Sequence, residues 1–116
     1  MTIHIISNDD FFSRELMMGL GSEVNIEIST NSLMAINEIR KESPHVIILD
    51  NDSDGLNPLV FTKLVKRDRG LEKIRIFFVI NDENFVDDSQ YQFDGVFAKN
   101  NNVSLLIDSL NKNENK

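Results

Sequence analysis

The chain has 116 residues, 41% of them hydrophobic and 27% charged, with two prolines and five glycines. That is a single domain with enough apolar content for a core, and it excludes disordered, collagen-like and low-complexity classes for the bulk of the chain. No cysteine is present, which removes disulfides, thiolate metal sites and cysteine nucleophiles, and a net charge of −7 argues against a nucleic-acid-binding face.

In chain order, Ile3, Ile5 and Ile6 mark a first short strand. Phe11, Phe12, Leu16, Met17 and Leu20 recur at helical spacing behind the cap candidates Asn8 and Asp9, and Gly21 closes that helix. Val24, Ile26 and Ile28 alternate with polar residues, the pattern of a half-buried strand. Leu33, Ile36 and Ile39 predict a second helix, opened by Thr30 or Asn31 and closed before Pro44.

Val46-Ile47-Ile48-Leu49 is continuous, β-branched and too short for a helix, so it reads as a central strand buried on both faces. Val60, Phe61, Leu64 and Val65 predict a third helix with Pro58 in its first turn. Ile74–Ile80 is a fourth strand. Residues 84–91 carry a weak helical pattern. Val96-Phe97-Ala98 is a fifth strand, and Val103, Leu106, Ile107 and Leu110 predict a last amphipathic helix. Residues 112–116 read as a flexible tail or the start of a linker, which leaves one domain over residues 1–111.

Five strands alternating with about five helices imply an α/β fold, a doubly wound parallel sheet with helices on both faces. In the five-stranded order 2-1-3-4-5, ligands sit beyond the carboxyl ends of the strands, between the first and third. The residues that matter therefore follow the strands: Ser7 to Asp10, Asp50 to Asp52, Asn81 and Asp82, Lys99 and Asn100. Asp50 brings a carboxylate to that crevice and Lys99 a cation. Such a pair suits phosphoryl acceptance with a divalent ion, or equally a structural salt bridge.

The segment Pro44-His45-Val46-Ile47-Ile48-Leu49-Asp50 resembles the third strand of response-regulator receiver domains. Asp94-Gly95-Val96-Phe97-Ala98-Lys99 resembles their fifth strand and its lysine, and Asn31-Ser32-Leu33-Met34-Ala35-Ile36 is similar to the opening of their second helix. The resemblance spans residues 2–111 and implies a flavodoxin-like fold. It implies Asp50 as phospho-acceptor, Lys99 as phosphoryl-binding residue, and two acids after the first strand that hold Mg²⁺ with the backbone carbonyl of Asp52. It also implies a Ser or Thr ending the fourth strand and an aromatic switch residue in the fifth.

Several of these positions are altered. The acid pair falls on Ser7 and Asn8, the hydroxyl position on Ile80, the aromatic position on Val96, and the proline after the lysine is Asn100. Asp9 and Asp10 follow the acid-pair positions and, with Asp50 and Asp52, are the remaining candidate metal ligands. Mg²⁺ requires several hard oxygens, so only weak Mg²⁺ binding is expected. The resulting expectation is an atypical receiver of a two-component or phosphorelay system. It is cytoplasmic, not an enzyme, and weakly phosphorylated or not at all. It acts by contact with a histidine kinase or other signalling protein, without nucleic acid or membrane. A downstream output domain and homodimerisation stay open. The alternative within the family is an ordinary phospho-acceptor using Asp50.

Two other classes compete. Asp50-Asn51-Asp52-Ser53-Asp54-Gly55 matches the opening of a calcium loop, but the twelfth position, which should close it with an acid, is Phe61. A flavodoxin-like ligand binder would need a Gly/Ser-rich phosphate loop, which is absent. Two histidines, His4 and His45, without cysteine argue against a histidine-based metal site. The basic cluster Lys63, Lys66, Arg67 and Arg69 suits the end of the third helix electrostatically. Phe85, Tyr91 and Phe93 read as core or as an exposed docking patch.

Overall fold

The computed structural model describes residues 1–81, 92–99 and 103–114. The elements run β1 (Thr2–Ile6), α1 (Asp10–Leu20), β2 (Asn25–Ser29), α2 (Ser32–Glu42), β3 (Val46–Asp50), α3 (Pro58–Arg67), β4 (Arg75–Ile80), β5 (Gly95–Ala98) and α4 (Val103–Glu114). The five strands form one parallel sheet in the order β2-β1-β3-β4-β5, as the alternation implies. Four helices lie among the described residues. The weak helical pattern at 84–91, with Phe85 and Tyr91, lies outside them, as does Asn100. α4 continues to Glu114, into the segment read as a tail.

Side chains alternate across the sheet and divide the core into two layers. On one face Ile3, Ile5, Val46, Ile48, Phe77 and Val79 pack against Phe12, Leu16 and Leu20 of α1 and Leu106 and Leu110 of α4. On the other, Ile6, Ile47, Leu49, Ile76, Phe78 and Ile80 pack against Ala35 and Ile39 of α2 and Phe61 and Val65 of α3. Each such side chain contributes about 1.5–3 kcal/mol on burial. Every residue of β3 is buried, which explains why its sequence is continuously apolar up to Asp50. Phe93 is core rather than surface: its ring stacks on Phe78 at 4.6 Å.

The helices start where their capping chemistry says. Asp9 accepts from the backbone N–H of Phe12, Asn31 from those of Leu33 and Met34, and Asn57 from that of Leu59, with Pro58 opening α3. The inward stripes are narrower than the apolar spacing suggests. Phe11, Met17, Leu33, Val60 and Leu64 are exposed, and Ser13, Ser32 and Thr62 take buried places beside the apolar residues. Of the basic cluster, Lys66 turns back into the fold, where its ammonium donates to the Ile74 carbonyl and pairs with Asp94 at 2.9 Å.

Candidate functional site

Parallel strands deliver their carboxyl ends to one edge, so the residues after β1, β3 and β5 converge. Asp50 is the last residue of β3, and its side chain is 0% exposed. Ser7, one residue past β1 and also buried, donates its hydroxyl to Asp50 Oδ2 at 2.6 Å. Lys99, one residue past β5, places Nζ 2.7 Å from the same oxygen. The other oxygen, Oδ1, accepts from the backbone N–H of Asp52 at 3.0 Å. The Ser53 hydroxyl donates to the Asp50 carbonyl, pinning the turn below.

Lys99 is the hub. Besides Asp50 its ammonium reaches Asp9 Oδ2 at 3.0 Å and Asp52 Oδ2 at 3.3 Å, and it lies 5.0 Å from the centre of the Phe12 ring. Burial works against the Lys99 charge and is the largest single influence on it. Hydrogen bonds to Asp50 and Asp9 and the field of Asp50 together outweigh it, and the pKa rises above the ordinary lysine value. Asp9 is held below the usual carboxylate range, first by the Phe12 N–H it accepts as helix cap and then by Lys99. Three carboxylates around one ammonium leave the site formally two charges negative when all are ionised.

The ligand oxygens of Asp9, Asp50 and Asp52 all lie within 4.8 Å of one another. Carboxylates at that spacing are hard donors of the kind Mg²⁺ or Mn²⁺ takes, so the residues fit such an ion in type. The fit is poor in availability, because each of the three already gives Oδ2 to Lys99. The carbonyl of Asp52 accepts from Asn8 N–H at 2.6 Å.

Of the remaining sequence-derived positions, Asn8 and Asp10 are exposed, and Asp10 opens α1 beside the cluster without joining it. Ile80 is buried in the α2–α3 core layer, and only its carbonyl serves the site, accepting from Lys99 N–H. Val96 packs into that same layer, while Phe97 turns to the opposite face and meets Phe77 edge-on. Neither supplies a hydroxyl or an inward-swinging ring. Asp54 is not a member of the three-carboxylate cluster, and Phe61 is wholly buried in α3. The chain after Asp50 forms a turn in which the Asp54 N–H donates to the Thr30 carbonyl and the Asp54 carbonyl accepts from the Ser32 N–H.

Two contacts were not legible in advance: the Ser7 hydroxyl on Asp50, and the three-way sharing of Lys99. Asp9 enters the site through its role as the α1 cap, a role that its position before an amphipathic run does signal.

No protein-family model matches the sequence, and no curated protein matches it. Solved structures do. The chain is similar to the signal receiver domain of a DNA-binding response regulator protein (merR) from Colwellia psychrerythraea 34H, at 20% identity and a TM-score of 0.85, covering 99% of this chain and 98% of that one. It is similar to the chemotaxis response regulator CheY4 of Vibrio cholerae, at 14% identity and a TM-score of 0.80, covering 96% of each. The Mn²⁺-bound form of response regulator Rcp1 matches at 17% identity and a TM-score of 0.73, over 93% of this chain and 87% of that one. The fold is therefore the flavodoxin-like fold of response-regulator receiver domains.

Proposed function

We propose that this chain is a receiver-type signalling domain of a two-component or phosphorelay pathway, atypical in that Mg²⁺-dependent phosphorylation of Asp50 is weak or absent. It is not an enzyme in its own right. It works in the cytoplasm by contact with a histidine kinase or another signalling protein. The observation that carries this reading is the state of Asp50. Both of its oxygens are taken by the protein's own donors, the Ser7 hydroxyl and Lys99 on one and the Asp52 N–H on the other, and none of it faces solvent. An acceptor must free an oxygen for in-line attack on phosphorus. The approach of a phosphate dianion to an acidic pocket also needs cationic charge. Ser7 and Asn8 stand where the receiver pattern has acids, and Ile80 leaves no hydroxyl at the end of β4 to bind a phosphoryl group.

One observation favours a second reading, an ordinary phospho-acceptor. Asp9, Asp50 and Asp52 are close enough to gather a divalent ion if Lys99 yields one oxygen from each. Asp50 would then attack phosphorus as the donor's bond to its leaving group breaks, and Lys99 would stay on the phosphoryl oxygens. A bound Mg²⁺ would supply the charge that lets the two anions meet.

The test is incubation with acetyl phosphate and Mg²⁺ followed by intact-mass measurement. The expected spectrum shows little or no gain of one phosphoryl mass. Efficient, lasting labelling that disappears in Asp50→Asn would establish the second reading instead. Calorimetric titration with Ca²⁺ is expected to show no loop-type binding, in keeping with Phe61 at the closing position.

A further inference from the structure

A second cluster lies on the α2 side of the sheet, away from Asp50. The His4 ring of β1 is completely buried, with Nε2 2.7 Å from Ser29 Oγ of β2 and Nδ1 3.2 Å from Glu42 Oε1 of α2. Glu38, one turn before Glu42, completes the group. The ligand atoms of His4, Glu38 and Glu42 all lie within 4.8 Å of one another. We propose that His4, Glu38 and Glu42 form a binding site for a zinc-class divalent cation.

Three features point to a cation there. First, one ligand pair already stands at the spacing such an ion imposes. Bonds of about 2.0–2.1 Å in a tetrahedral site set ligand atoms about 3.3 Å apart, near the spacing of His4 Nδ1 and Glu42 Oε1. Second, the ring is braced as a metal-bound imidazole is. Ser29 Oγ, 2.7 Å from Nε2, fixes the ring plane, and in the tautomer that carries its proton on Nε2 the Nδ1 lone pair is left to face the glutamates and a cation between them. Third, the glutamates are placed where the protein alone does not favour them. They stand four residues apart in the last two turns of α2, so they repel each other and face the negative end of the helix dipole. Of the basic residues in that last turn, Arg40 is drawn away to Asp68 at 2.8 Å.

One imidazole with two carboxylates suits zinc better than the all-oxygen preference of magnesium or calcium. Glu38 is exposed, which gives the ion an entry path and leaves a fourth position for water or a partner's side chain.

The experiment is a calorimetric titration of the whole chain with zinc chloride, repeated with Glu38→Gln, Glu42→Gln and Asp52→Asn. One equivalent is expected to bind. Each glutamine variant should weaken binding at least tenfold, and Asp52→Asn should leave it unchanged because the other acidic cluster is not involved. Ser29→Ala should weaken it about tenfold through loss of the ring's brace. Circular dichroism confirms that each variant folds, and the exposed Glu38 is the safest of them. Cobalt(II) substitution gives an independent readout, visible absorption of a low-coordinate site that vanishes in Glu42→Gln. Absence of binding, binding indifferent to both glutamine changes, or binding abolished by Asp52→Asn would each overturn the assignment.

Discussion

Replacing Lys99 by methionine tests the electrostatic design of the Asp50 site directly. In the native chain one lysine, its side chain 14% exposed, serves Asp50 at 2.7 Å, Asp9 at 3.0 Å and Asp52 at 3.3 Å through its ammonium. Methionine keeps an unbranched apolar stem but removes the charge, including the ammonium that lies 5.0 Å from the centre of the Phe12 ring. Asp9 and Asp52 are partly solvated, and water can compensate them. Asp50 has no such recourse: it is wholly buried and would keep only the Ser7 hydroxyl and the Asp52 N–H. Breaking a buried ion pair by removing one partner costs about 3–5 kcal/mol, a large fraction of the roughly 5–15 kcal/mol that holds a domain together. At about 4 °C per kcal/mol for a chain of this size, Tm should fall by roughly 12–20 °C. Urea denaturation at pH 7 of the native chain, Lys99→Met, Asp50→Asn and the double variant measures it. The double variant should recover much of the loss, because the stranded charge is gone. A loss in Lys99→Met below about 1 kcal/mol, the value of a surface pair, would refute the claim that Asp50 depends on this lysine for its neutralisation.

Three further outcomes follow from the same contacts. Asp9 has its pKa depressed in the fold, so its contribution is present above the unfolded aspartate value of about 3.9 and lost as pH falls through the lower folded value. Lys99 is raised, so its contribution is complete below about pH 10.4 and lost as pH rises through the higher folded value. A pH series of urea melts should therefore show both arms, and the alkaline arm should shrink in Lys99→Met. Ser7→Asp sets a second carboxylate against Asp50 and should destabilise the chain by about 1–3 kcal/mol without divalent ion. Added Mg²⁺ should restore much of that and raise phosphodonor labelling at least tenfold, read by thermal melts and intact mass. Gly55→Ala should lower stability by about 1–3 kcal/mol in the same melts. The backbone there has φ +107, and a Cβ would come within 2.7 Å of the Ser32 backbone nitrogen.

The fold was legible because periodicity is a property of burial. β3 is apolar from Val46 to Leu49 because helices cover both of its faces, and the alternation of strands and helices admits few topologies. What the spacing overstated was the width of the helical stripes. Leu33 and Leu64 sit at helical intervals yet remain exposed, while Ser32 and Thr62 are buried in their helices. Ser32 shows the reason: its hydroxyl accepts from Leu56 N–H, so tertiary hydrogen bonding takes a place that hydrophobic counting assigns to an apolar residue.

The Asp50 site was legible only where chemistry coincides with a strand end. Asp50 and Lys99 follow apolar runs, and a parallel sheet must bring such residues to one edge. The Ser7 contact is different in kind. A serine after a strand has many partners open to it, and only the register of Ile6 beside Leu49 puts this hydroxyl on Asp50. Asp9 shows a third case, since its signal is for a helix cap and its Oδ1 does cap α1. Its second oxygen is carried to Lys99, 90 residues away, by where that cap stands. The His4 cluster is the same problem made longer. The count of two histidines and no cysteine concerns ligand types alone, and the two glutamates that α2 brings to the β1 ring leave no signal in it. Ligand sets drawn from a strand and from helix residues 34 and 38 positions further along have no spacing to recognise. The clue that the chain itself carries is negative: a pair of acids stacked toward a helix end that electrostatics alone would fill with bases.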